Sequence, residues 1–236
     1  MKGFPRARSR AVAAAALVLA AIWTSAYSTE PETASDRTLV VLDGDTLVQG
    51  GQILELAGID APELGQWCHD GAVLYACGVA AAFELKKLLA LDPVTCAAME
   101  GDGGFYECLT PRGSVSELLA EMGLVVARDG TGTELAQQAA RAVPLGIWRG
   151  RFVDPARWRQ GERLPDETEE PHRCPILAWH DAGAGVFVVP TDPDYRTWEG
   201  RRLGMQHFCS DDAALAAGYA HRGASVTGAA PAPPAS

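Results

Sequence analysis

Alternation of apolar and polar residues predicts a strand-rich region that begins near residue 38. Residues 38–42 form a β-branched apolar run, and residues 46–48 are extended again after a short turn. A Gly-Gly pair at 50–51 supplies a hairpin turn, so residues 52–59 are expected to return beside the preceding strand. Pro62 cannot donate to a sheet, and we therefore expect the chain to leave the sheet there.

Helical periodicity predicts three helices, at residues 79–91, 116–122 and 133–142. In the first helix, Leu85 and Leu88 lie on an apolar face opposite charged residues, which favours packing against the strands. A serine cap precedes the second helix and a glycine follows it. Nothing in these three segments is typical of a cofactor-binding motif.

The pattern changes after residue 159. Residues 160–173 are charged and lack periodicity, which predicts a linker. A small cysteine-containing unit is expected at 174–222, with two strands followed by a short helix at 211–218. The Ala/Pro/Ser-rich residues 223–236 are predicted to be disordered.

The N-terminal residues have the order of an export signal. Basic residues are followed by an apolar stretch at 11–23 and by small residues, so residues 1–28 are predicted to be a signal peptide. Cleavage after Ala26 or Ser28 fits this pattern, and an uncleaved membrane anchor is the alternative. Residues 29–36 are interpreted as a linker. The rest of the protein is expected to be periplasmic or secreted.

Export favours disulfide bonds among the six cysteines. Six cysteines allow fifteen connectivities, and we predict the pairing of near neighbours in the sequence. The predicted pairs are Cys68 with Cys77, Cys96 with Cys108, and Cys174 with Cys209. A zinc site is the alternative, but no C-x-x-C motif occurs and the histidine spacings match no common zinc pattern.

Two acidic phrases flank the predicted hairpin: D-G-D-T at 43–46 and G-I-D-A-P-E at 58–63. They bring Asp45, Asp60 and Glu63 to strand ends and turns, where neighbouring carboxylates can share a hard cation and act on a water molecule. Asp43 and Asp45 have a second interpretation as turn formers, because aspartate stabilises turns through side-chain to backbone hydrogen bonds.

These two phrases, at this spacing, resemble the staphylococcal-nuclease-like (thermonuclease) family over residues 37–159. The resemblance implies an α+β, mainly β fold: a five-stranded OB-fold barrel with about three helices. The C-terminal unit resembles a small cysteine module that follows thermonuclease domains in some exported bacterial proteins, on the wording C-P-I and F-C-S-x-x-x-A-x-x-A-G-Y.

The resemblance also implies roles for individual residues. Asp45, Asp60 and the backbone carbonyl of Ala61 would hold Ca²⁺, and Glu63 would act as general base or position the attacking water. The family's two phosphate-binding arginines are missing. Glu55 stands at the position of the first, and the phrase at 101–106 that should carry the second has no basic residue.

The expected function is therefore a Ca²⁺-dependent phosphodiesterase for DNA or RNA that is weak or inactive, because guanidinium groups supply much of the charge stabilisation in phosphoryl chemistry. The alternative is a non-catalytic OB-fold binding module of the cell envelope. Three other arginines, Arg112, Arg128 and Arg141, are candidates to reach the site from elsewhere in the chain.

Charge bears on the expected partners. The formal net charge of −10 disfavours nucleic acid, which binds proteins largely through Lys and Arg, although nucleic acid remains a candidate ligand. The arginines at 149, 151, 157 and 159 are interpreted as a solvated cluster near a helix end. Contact with a membrane is expected only through an uncleaved N-terminal segment, and the protein is predicted to be a monomer.

Overall fold

The computed structural model describes residues 38–101, 104–167, 174–202 and 204–223. Its strands are β1 (Val40–Val41), β2 (Thr46–Gln49), β3 (Gln52–Leu56), β4 (Ile59–Asp60), β5 (Cys68–Asp70), β6 (Val73–Tyr75), β7 (Thr95–Ala98), β8 (Phe105–Thr110), β9 (Gly113–Ser114), β10 (Val126–Ala127), β11 (Ile176–Asp181), β12 (Ala184–Val188), β13 (Gln206–Phe208) and β14 (Ala220–His221). Its helices are α1 (Cys77–Leu91), α2 (Val115–Glu121), α3 (Glu134–Ala142), α4 (Pro155–Arg159), α5 (Tyr195–Glu199) and α6 (Asp211–Ala216), with a 3₁₀ turn at Gly146–Arg149. The predicted signal peptide and the 29–36 linker lie outside the described residues, as does nearly all of the predicted tail.

The main sheet has the order β1-β2-β3-β8-β7, with β9 paired to β8. The predicted hairpin between β2 and β3 is confirmed: Gly50 and Gly51 have φ values of 57° and 82°, which glycine adopts readily. Strand β8 then runs parallel to β3 and antiparallel to β7. The fold is therefore mixed, with more strands than helices.

The predicted continuous strand at 52–59 is wrong, and the reason is local. Gly58 has a φ of 80°, so the chain turns after Leu56. The next residues form β4, which pairs with β10 in a separate two-stranded ladder. Within the described ranges the strands do not close into a barrel, so the structure does not confirm the expected five-stranded OB barrel.

The three predicted helices are confirmed as α1, α2 and α3. Helix α1 buries one face, including Leu85 and Leu88, against the sheet core. Its second residue, Gly78, lies directly against the backbone carbonyl of Glu63, and a Cβ at this position would overlap that oxygen. The start of α1 thus fixes the position of the loop that carries Glu63.

The C-terminal strands form a second sheet in the order β13-β11-β12-β14. Their buried residues, such as Ile176 and Phe187, belong to the same hydrophobic core as Val41 and Leu47. The hydroxyl of Thr191 also donates a hydrogen bond of 2.6 Å to the carbonyl of Val41. The described C-terminal residues therefore pack on the main sheet within one compact unit.

The three predicted disulfides, Cys68–Cys77, Cys96–Cys108 and Cys174–Cys209, are all present. Stable disulfides indicate an extracellular or periplasmic protein. Within the part of the chain that the structure describes, no helix has the length and apolar character that a membrane span requires.

Candidate metal centre in an acidic cleft

Both acidic phrases contribute to one cleft with a volume of about 240 Å³. We call it the acidic cleft. It is lined by Asp43, Asp45, Thr46, Glu55, Asp60, Glu63, Phe105, Arg128, Arg159, Asp211 and Asp212. Seven carboxylates thus face two guanidinium groups, so the lining carries an excess of negative charge when every group is ionised.

Asp43 organises the loop between β1 and β2. One of its carboxylate oxygens accepts hydrogen bonds from the backbone N–H groups of Asp45 at 3.0 Å and Thr46 at 2.7 Å. This is the turn-forming role that aspartate plays before a glycine. Asp43 is nevertheless buried and lines the cleft, so its structural role is compatible with a role in binding.

Asp45 links the two acidic phrases. Its carboxylate accepts a hydrogen bond of 2.7 Å from the backbone N–H of Ala61. Burial, followed by the nearby charges of Asp43 and Glu55, raises the pKa of Asp45 well above its usual value. The structure therefore brings Asp45 beside Ala61, but the contact is with the N–H of Ala61 and not with the carbonyl that the resemblance assigns to calcium.

Arg159, the last residue of α4, bridges Asp60 and Glu63. The guanidinium donates to both carboxylate oxygens of Asp60, at 2.9 and 2.8 Å, and to Glu63 at 2.7 Å. Helix α4 is well defined at its start, because the Asp154 side chain caps it and Pro155 occupies its first turn.

The interpretation of Arg159 as a solvated helix-end residue is therefore wrong. Hydrogen bonds to the two carboxylates raise its pKa above the usual arginine value, and the group stays charged. Its neighbours in the sequence do pair near the surface: Arg149 with Asp70, and Arg157 with Glu162.

Three carboxylates approach closely enough to share one ion. An oxygen of each of Asp43, Glu63 and Asp211 lies within 4.8 Å of the others, and all three residues are buried. Buried carboxylate oxygens are the ligands that hard divalent cations such as Ca²⁺ and Mg²⁺ prefer. The donor set fits such a cation, and it differs from the expected set of Asp45, Asp60 and the carbonyl of Ala61.

Glu55, which stands where the family has an arginine, also faces the cleft. Glu55 lies on β3, directly opposite Thr46 in the antiparallel register with β2. Burial, followed by the charge of Asp43, raises the pKa of Glu55 to about 7. Burial likewise raises the pKa of Glu63 to about 8, in spite of the contact with Arg159. These shifts reflect carboxylates that are crowded together and removed from water.

Of the three alternative arginines, Arg128 lines the cleft, with its guanidinium carbon 4.6 Å from the centre of the Phe105 ring. Arg112 instead forms an ion pair with Asp92, and Arg141 lies over the ring of Trp148. The cleft thus contains two guanidinium groups, from Arg128 and Arg159. Neither residue stands at a sequence position where the thermonuclease family has a phosphate-binding arginine.

No protein-family model matches this chain. It is similar to the succinoglycan biosynthesis protein ExoI of Rhizobium meliloti (strain 1021), with 37% identity over 121 residues. The match covers 47% of this chain and 63% of that protein, so the chain spans less than two thirds of the relative's length.

Proposed function

We propose that this protein is an exported, thermonuclease-type phosphodiesterase of low activity that depends on a divalent cation, Ca²⁺ by analogy with the family it resembles. The observation that carries the proposal is the cluster of Asp43, Glu63 and Asp211, with Arg159 beside it. The five-stranded OB barrel remains a prediction that belongs to the same proposal.

The chain's own residues suit this chemistry. Glu63 lies on a loop that is held in place, since Gln66 accepts from the Glu63 N–H at 3.3 Å and donates to the Val153 carbonyl at 2.6 Å. Burial raises the pKa of Glu63, and a bound cation would oppose this shift by stabilising the ionised carboxylate. In the ionised form, Glu63 could take a proton from a water molecule. A calcium ion, when bound, would attract a phosphodiester oxygen and stabilise the charge that develops on it.

Low activity follows from the surroundings of the two arginines. Arg159 is engaged by Asp60 and Glu63, so its donors are directed at carboxylates and not at a phosphate. Glu55 adds a negative group where a phosphate-binding arginine would help, and loss of one such donor typically costs about 10²–10³ in rate.

Digestion of single-stranded DNA by the purified, oxidised protein tests this proposal, with Ca²⁺ and with chelator. We expect slow, calcium-dependent cleavage that Glu63→Gln abolishes and Glu55→Arg increases. Glu121→Gln is the matched control, because Glu121 is exposed at the end of α2. Cleavage that persists in chelator or in Glu63→Gln would refute the assigned chemistry.

The second candidate is a non-catalytic binding module of the cell envelope. Glu55 in the cleft and the net charge of −10 favour it, because both oppose the binding of nucleic acid, which carries a negative charge on every phosphate. The similar protein is named for succinoglycan biosynthesis, so an envelope polysaccharide is the corresponding ligand to propose here. A parent protein that binds Ca²⁺, cleaves no DNA at high concentration and binds purified succinoglycan by calorimetry would favour this candidate.

A further inference from the structure

We propose that Asp211, in the C-terminal unit, is a ligand of the cation in the acidic cleft, so that the cation fastens this unit to the main sheet. The inference rests on the proposed cation and assigns part of its site to a region outside the resemblance to thermonuclease domains. The motifs of that family assign no role to this residue.

The backbone places Asp211 at the cleft by several independent contacts. The N–H of Gly65 donates a hydrogen bond of 2.7 Å to the carbonyl of Cys209. The approach is so close that a Cβ at Gly65 would lie 2.5 Å from atoms of Cys209. The Cys174–Cys209 disulfide ties the same residue to the start of β11. These contacts fix the position of Cys209, and Asp211 follows it by two residues.

Helix capping alone does not account for the burial of Asp211. The hydroxyl of Ser210 accepts a hydrogen bond of 3.3 Å from the N–H of Ala213, so Ser210 is the residue that caps α6. Asp212, the next acid of the first turn, is exposed and can interact with the helix dipole from the surface. An acid with only that role has no need to be buried.

The carboxylate of Asp211 lacks the partners that a buried charge requires. Its exposed fraction is 3%. Among the described residues no side-chain or backbone donor forms a hydrogen bond or ion pair with it, while Asp43 and Glu63 lie on the facing side. A buried carboxylate without partners is costly when it is ionised, so such a group either stays protonated or coordinates a metal.

The spacing of the three carboxylates fits a single ion. Calcium binds oxygens at about 2.3–2.6 Å, so two ligands on opposite sides of one ion are about 5 Å apart. The oxygens of Asp43, Glu63 and Asp211 lie within 4.8 Å of each other. Arg159 neutralises Asp60 and contacts Glu63, but forms no described ion pair with Asp43 or Asp211. A cation between these two would supply the missing positive charge.

Calcium binding to the oxidised, full-length protein, measured by calorimetry without nucleic acid, tests the inference directly. We compare the parent with Asp211→Asn and with Asp181→Asn. The second variant removes the same charge from an exposed residue of the C-terminal unit that does not line the cleft. We expect Asp211→Asn to weaken binding on the order of 100-fold, because a charged ligand is lost, and Asp181→Asn to change it less than about threefold.

Thermal unfolding separates loss of a ligand from loss of the fold. In chelator, Asp211→Asn should unfold at the same temperature as the parent or higher, because it removes a carboxyl group that is buried among other carboxylates without a counter-charge. With calcium, the parent should gain stability and Asp211→Asn should not. A variant that unfolds at a lower temperature in chelator would show a structural role for Asp211 and overturn the inference.

The outcomes also distinguish this inference from the proposed function. If the parent binds calcium and Asp211→Asn binds it equally well, the inference fails and the proposed function stands. If the parent binds no calcium, both fail. If calcium binding is lost in Asp211→Asn while DNA is never cleaved by the parent, the inference stands and the phosphodiesterase assignment fails.

Discussion

At the scale of single residues, Arg159 is the group that most changes the interpretation of the site. It joins Asp60 and Glu63, residues at the end of β4 and on the following loop, although it lies 99 and 96 positions away in the chain. The local sequence pattern carries no information on such a pairing, and it therefore predicts a solvent-exposed side chain for Arg159. The same holds for Asp211, because Asp43 and Glu63, the carboxylates that face it, lie in the first part of the chain. The turn role of Asp43, in contrast, is local and was predictable.

Replacement of Arg159 by Gln tests this bridge. The change leaves the partly buried carboxylates of Asp60 and Glu63 without their guanidinium, and we expect the free energy of unfolding in chelator to fall by about 1–3 kcal/mol. Calcium should bind more tightly, since a positive charge has left the cleft. Chemical denaturation and calorimetry measure both effects.

Arg157→Gln is the control for this replacement, because Arg157 forms a surface ion pair with Glu162 on the same helix. Such a pair contributes about 0–1 kcal/mol, and calcium affinity should be unchanged. Equal effects of the two substitutions would contradict the bridging role of Arg159.

At the scale of elements, the sequence predicted the helices better than the strands. Helices α1 and α2 follow from apolar periodicity, and α2 has the predicted Ser114 cap, whose hydroxyl accepts from the N–H of Glu117. The division of the predicted strand into β3 and β4 depends on Gly58, whose turn is stabilised by contacts from the distant residues Thr131 and Thr133. Those contacts are tertiary, so the alternating pattern could not reveal them.

The contact between α1 and the Glu63 loop leads to a prediction for Gly78→Ala. The added methyl group overlaps the Glu63 carbonyl, so the loop or the helix must shift, at a cost of about 1–3 kcal/mol. We expect lower stability and weaker calcium binding together, because the shift displaces Glu63 from Asp43. Denaturant unfolding and calorimetry are the measurements.

Gly200→Ala is the matched control for that substitution. Gly200 ends α5 with a helical φ of −64°, and the nearest atoms to an added Cβ lie 3.8 Å away. Ala should be tolerated there without an effect on calcium. A Gly78→Ala protein that is as stable as the parent would show that the loop position is not fixed by α1.

At the scale of the whole molecule, the crowding of carboxylates predicts a dependence of stability on pH. The folded pKa values of Glu55 and Glu63 are about 7 and about 8, whereas an unfolded glutamate titrates near 4.5. Between these values the folded protein binds more protons than the unfolded chain, so stability falls as pH rises. In chelator we expect the unfolding temperature to fall from about pH 5 to about pH 8.

Calcium should reduce this fall, because a bound cation stabilises the ionised carboxylates and competes with protons. Differential scanning calorimetry at several pH values, with and without calcium, gives both profiles. The double variant Glu55→Gln/Glu63→Gln should show a flatter profile in chelator. An unfolding temperature that stays constant or rises across this interval in the parent would contradict the assignment of raised pKa values.

The Cys174–Cys209 disulfide has a consequence for where the protein can work. Cys209 docks on Gly65 and precedes Asp211 by two residues, so the bond that holds Cys209 also holds the proposed third ligand in place. In a reducing compartment this bond does not form, and the cation site would remain incomplete. Oxidation of Cys174 and Cys209 is therefore expected to precede assembly of the proposed cation site, so that cation binding in the acidic cleft would begin only in an oxidising compartment.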